Sequence, residues 1–176
     1  QETVKVPYTI YSNEDRGFSF EVPTDWEIKV KTYTDTHFLL NVKSPAFDPD
    51  TTDKAKVMIF SNVNFYIIDM GKQQSPISFR DFVEGLLTNA DYSVLGKGRS
   101  NLGSEEAVYL LMDSWDYLVE SGSVGKYILS AFDTKGFYLS LTYNKEIGTE
   151  KAEEYLSILE HMSESFQWES IYSTDK

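Results

Sequence analysis

The 176-residue sequence contains no cysteine, and that absence removes disulfides, thiolate metal sites and cysteine nucleophiles together. No stretch reaches the roughly 20 apolar residues of a membrane span, so nothing in the sequence reads as a transmembrane helix. Basic residues are scarce: Lys+Arg number 16 against 28 Asp+Glu, a net charge of −12. That balance repels a nucleic-acid backbone or an anionic membrane, and no local basic patch reverses it. Motifs for hydrolysis and phosphate binding are missing as well. No G-x-S-x-G is present, and GKGRSNLG, the most basic local stretch, lacks Walker spacing, with Lys97 and Arg99 alternating as solvent-facing strand residues would. The reading is therefore of a protein that is not an enzyme.

What is present is an ordinary globular composition, 41% hydrophobic and 25% charged, in a length that suits a single domain over 1–176. Aromatics reach 15%, with 12 Tyr and 11 Phe, which favours a sheet, where flat rings pack on pleated faces. Charge is uneven along the chain. Residues 1–88 hold 9 basic and 13 acidic side chains, and residues 89–176 hold 7 and 15. A charged partner is thus expected to be basic and to meet the second half. A chain that starts at Gln1 instead of Met reads as processed, with a removed export signal as the expectation.

Hydrophobic periodicity of two places strands at 7–12, 17–22, 26–33, 37–44, 55–65, 92–99, 105–112, 124–133 and 136–144. In GFSFEVPTDWEI, residues Phe18, Phe20 and Val22 share a face, and Pro23 ends the pairing because it has no N–H to donate. Trp26 then opens a strand in which Ile28 and Val30 are expected to share its buried face. The period changes to three and four in SPISFRDFVEGLLTNA, predicting a helix over 78–90. It changes again in TEKAEEYLSILEHMSESF, where Ala152, Tyr155, Leu156, Leu159, Met162 and Phe166 form one stripe; this predicts a helix over 149–165, entered through Gly148 and capped by Thr149. Asp133 to Gly136 suits a tight hairpin, and four successive strands imply an antiparallel meander. The fold class is α+β: an antiparallel sheet of about six to eight strands with two main helices packed on it.

The order of GFSFEVPTDW, SFRDFVEGLL, FDTKGFYLSLTYN and a closing helix ending in ESFQW resembles the PsbP-like superfamily, an α/β/α sandwich whose members include bacterial secreted proteins and lipoproteins of unknown role. The resemblance spans most of the chain. It implies a non-catalytic binding or assembly domain, exported or surface-attached, that contacts a protein partner at a membrane surface or elsewhere outside the cytoplasm.

Two sites are candidates. Asp113, Asp116 and Glu120 surround Trp115 and Tyr117, mixing carboxylates with rings as a contact surface for a basic partner would, while a hairpin end with uncovered rings is the bland alternative. Asp48, Asp50 and Asp53 form D-x-D-x-x-D in a proline-punctuated loop, the oxygen-rich arrangement that calcium favours. An EF-hand would place glycine where Asp53 stands and an acid at Ile59, so the loop reads as a solvated turn first and a calcium site second. A small ligand held between sheet and helix is the remaining alternative. The two histidines, His37 and His161, fall in different elements and read as structural or surface residues, since zinc wants three or four ligands.

Overall fold

The computed structural model describes residues 5–33, 38–45, 56–62, 88, 92–114, 123–132 and 135–168. Alternating side chains generate strands along most of this length. Strands β1 (Tyr8–Asn13), β2 (Phe18–Pro23) and the two-residue β10 (Gln167–Trp168) form a small antiparallel sheet in the order β1-β2-β10. A seven-stranded sheet takes β3 (Glu27–Tyr33), β4 (Phe38–Lys43), β5 (Lys56–Asn62), β6 (Tyr92–Leu102), β7 (Glu105–Ser114), β8 (Ser123–Phe132) and β9 (Lys135–Asn144). Its order is β3-β4-β5-β9-β8-β7-β6, so the last four strands are the expected meander and every neighbour is antiparallel. Tyr8 opposite Pro23 is the last pair of the β1–β2 ladder, as a residue without an N–H dictates.

The main helix among the described residues is α1 (Thr149–Glu164). It follows a single 3₁₀ turn at Lys145–Ile147, which the Asn144 side chain caps by accepting from the Glu146 N–H. Gly148, not Thr149, is the N-cap of α1: its φ of 87° is one that glycine reaches without strain, its carbonyl accepts from the Ala152 N–H at 3.1 Å, and no side chain caps the helix. Of the expected stripe, Tyr155, Leu159, Met162 and Phe166 are buried while Ala152 and Leu156 are half-buried, and Ile158, which the stripe left out, is buried beside them. The helix expected at 78–90 lies outside the described residues, apart from the helical Thr88.

Because Cβ atoms alternate across a strand, the large sheet has two chemically different faces. The first presents Phe38, Leu40, Val42, Ala107, Ile128, Phe137, Leu139 and Leu141, and α1 packs on it together with the small sheet. Phe18 is the hub: its ring meets those of Phe20, Phe38 and Phe166 within about 6 Å, two stacked and one edge-on. Each such side chain withdrawn from water contributes about 2 kcal/mol before the entropy of ordering it is charged. Among the described residues, the second face presents a smaller buried cluster, Leu110, Met112 and Leu129, flanked by Val108, Tyr127 and Tyr138.

Trp26 is buried, at 8% exposure, with its ring edge-on to Tyr155 at 5.8 Å and its backbone N–H donating to the Pro23 carbonyl. It therefore plugs the junction between the small sheet and α1. The expected continuation does not hold, since Ile28 and Val30 are 37% and 44% exposed. Trp26 sits in the turn before β3, and β3 is an edge of the large sheet among the described residues, so the alternation that buries an internal strand does not bury Ile28 and Val30.

Candidate functional site

The sequence-predicted contact surface begins at the C-terminal end of β7. Asp113 lies one residue from that end, opposite Val124 of β8, which in turn faces Tyr143 of β9. The row carries the chain from β7 to the 3₁₀ turn, where Lys145 forms an ion pair with Asp113. Trp115, Asp116, Tyr117 and Glu120 lie outside the described residues, and so do Asp48, Asp50 and Asp53. The structure thus brings Asp113 together with residues that the sequence reading had assigned to other elements.

Those residues are acidic. Directly after Lys145 come Glu146 in the 3₁₀ turn and Glu150, Glu153 and Glu154 in the opening turns of α1, all four exposed. The local cations are already engaged: Lys145 with Asp113, and Lys151 with Glu154 at 3.4 Å while it also lies over the Tyr155 ring. Among the described residues, Glu146, Glu150 and Glu153 have no ion-pair partner. Part of this charge serves the helix itself, because Glu150 in the first turn meets the partial positive charge of the helix start. The remainder is uncompensated at an exposed corner. The signal for it was legible as the acid-rich outer face of the closing helix, but only the ladder shows that this helix starts beside Asp113. Burial holds the Tyr143 hydroxyl, in the row that faces Val124 and Asp113, above the ordinary phenol value.

Two other polar regions were not foreseen. At the opposite end of the same hairpin, an open cleft of about 920 Å³ is lined by Arg99, Asn101, Ser104, Glu105, Glu106 and Val108. The hairpin tip there is pinned to the end of α1: the Gly103 N–H donates to the Ser163 carbonyl at 2.8 Å, and the Ser163 hydroxyl donates to the Asn101 carbonyl at 2.5 Å. Only glycine fits, since φ is +61° and a Cβ would stand 1.9 Å from the Phe166 carbonyl oxygen. On the small sheet, His161 stacks on Tyr8 at 3.8 Å and its Nε2 lies 2.5 Å from a Glu21 carboxylate oxygen. The Glu21 N–H donates to the Ser165 hydroxyl at 2.8 Å. Burial, and then the Glu21 charge, raise the Tyr8 hydroxyl above its ordinary value. His161 thus ties helix to sheet, and no group of three or more His, Asp or Glu positioned for a metal occurs among the described residues.

No protein-family model and no curated protein sequence matches the chain. Solved structures do. PA94 of Pseudomonas aeruginosa, a protein of unknown function, superposes with a TM-score of 0.52 over 87% of this chain and 94% of its own, at 14% identity. A point mutant of Mog1 superposes with a TM-score of 0.53 over 92% of this chain and 96% of its own, at 11% identity. The chain has the PsbP/Mog1 fold. Cyanobacterial PsbP (CyanoP) from Synechocystis sp. PCC 6803 covers 96% of both chains with a TM-score of 0.49 and 11% identity. At such identities the likeness to PA94 and Mog1 carries the arrangement of strands and helix, and the chemistry has to be argued from this chain's own residues.

Proposed function

We propose that this PsbP/Mog1-fold protein is a non-catalytic binding or assembly domain that meets a basic protein partner at the corner formed by the end of β7, the 3₁₀ turn and the start of α1. The observation that carries the reading is the unpaired carboxylate set Glu146, Glu150 and Glu153 beside the engaged pair Asp113–Lys145. Exposed charges of one sign steer an oppositely charged partner and discriminate against the wrong one more than they add affinity, and a chain of net −12 extends that field over the whole surface. The rings at Trp115 and Tyr117, which follow Asp113 in sequence, supply the apolar anchors that an interface centre needs. Export or surface attachment belongs to the same proposal and is supported by the resemblance to secreted PsbP-like proteins. No helix among the described residues is long and apolar enough to cross a membrane.

The test is capture from native extract by the immobilised protein, by the double variant Glu146→Lys/Glu153→Lys, and by a control, Glu14→Lys, in the β1–β2 turn. The reading expects a partner whose retention weakens about tenfold for the double variant and falls with added salt, with the control unaffected. Equal retention by all three proteins would remove the acidic corner from the interface, and recovery of no specific partner would defeat the binding role itself.

A further inference from the structure

Strand edges are where sheets recruit further strands, and three long edges are present among the described residues. Two of them are defended. Strand β3 carries Glu27, Lys29 and Lys31 and breaks register between Val30 and Thr32; strand β6 carries Lys97 and Arg99 and breaks register between Val94 and Gly96. Charges and bulges of this kind prevent edge-to-edge pairing. The third edge, β1, reads YTIYSN: it has no charge, and it keeps an unbroken register with β2 from Tyr8 to Asn13. It also exposes Ile10 by 67%, more than any other large hydrophobic side chain among the described residues.

We infer that β1 is a self-pairing edge, joining a second copy of this chain antiparallel about a two-fold axis to give one continuous sheet in the order β10-β2-β1-β1-β2-β10. The occupant follows from the sequence of the edge itself. With Ile10 opposite Ile10 of the second copy, Tyr8 meets Ser12, Thr9 meets Tyr11, and no like charges face one another. The ends are complementary, because antiparallel pairing brings the end that carries Lys5 against the end that carries Glu14 and Asp15. The same operation on β6 would set Lys97 and Arg99 of one copy along those of the other. Six residues of ladder bury less than a standard interface, so the dimer is weak, with a dissociation constant on the order of 100 μM. The net charge of −12 opposes it over distance, and salt therefore strengthens it, the reverse of the effect expected for the basic partner. This inference is independent of the proposed partner site, which lies on the large sheet and α1.

Because the chain has no cysteine, a single introduced thiol reports on this register without interference. Residues directly opposite across an antiparallel ladder have Cα atoms about 4.5–5.5 Å apart, within the range a disulfide spans. The experiment measures sedimentation of the full chain from 10 μM to 1 mM (about tenfold either side of that constant) and the rate of oxidative cross-linking of Ile10→Cys against Lys29→Cys. The expected result is a monomer–dimer equilibrium shifted toward dimer by salt and abolished by Ile10→Lys, with Ile10→Cys cross-linking at least about tenfold faster than Lys29→Cys. A monomer throughout would overturn the inference. So would a dimer that tolerates Ile10→Lys, or one in which the two thiols react at the same rate. Circular dichroism of each variant establishes that it is folded, as substitution of so exposed a side chain allows.

Discussion

The two faces of the seven-stranded sheet differ in how they are filled. The face under α1 and the small sheet is a continuous aromatic and aliphatic layer in which Phe18, Phe20, Phe38 and Phe166 interlock. Among the described residues, the opposite face has three fully buried apolar side chains, and in its rows stand the buried polar residues Asn41, Ser140 and Thr142. The Asn41 Oδ1 and the Ser140 Oγ have no hydrogen-bond partner. A buried polar atom left unpaired costs about 1–3 kcal/mol, so Asn41 and Ser140 subtract from what the buried apolar side chains around them contribute. Among the described residues, the larger apolar cluster lies where helix, small sheet and large sheet meet.

Three substitutions break or sharpen this contrast. Phe18→Ala empties the hub of the aromatic layer and should cost about 4 kcal/mol in chemical denaturation, since its neighbours come from β2, β4 and the end of α1 and cannot all collapse into the gap. Leu110→Ala on the other face should cost less, about 2 kcal/mol, because its cluster among the described residues is smaller. A Leu110→Ala cost equal to that of Phe18→Ala would erase the difference between the faces. The smallest effect is the most diagnostic. Ser140→Ala removes a hydroxyl that is buried and unpaired, so stability should hold or rise by up to about 1 kcal/mol, whereas a loss above 1 kcal/mol would mean that the hydroxyl is satisfied.

Much of this architecture was written in local pattern. Nine strands and the closing helix follow from periods of two and of three to four, because side-chain direction is fixed by backbone geometry before any tertiary contact forms. Trp26 was legible as a core residue, but Ile28 and Val30 were not legible as exposed, since alternation says which residues share a face and not whether a neighbour covers it. Thr149 has the chemistry of a cap, yet Gly148 takes the position because the chain leaves the 3₁₀ turn with a positive φ. The acidic corner was half visible. Asp113 and the helix glutamates could each be named, while their juxtaposition depends on a strand order that no local pattern encodes. The pinning of Gly103 by Ser163 and the pairing of His161 with Glu21 are contacts between distant segments, and they were invisible for the same reason.

Hydrogen exchange of the captured complex, compared with the free protein, tests the central claim most directly. The account predicts new protection at residues 111–113 and 145–153, with β3 unchanged. Protection confined to β3 or to the β6–β7 cleft, with the acidic corner exchanging as in the free protein, would contradict it.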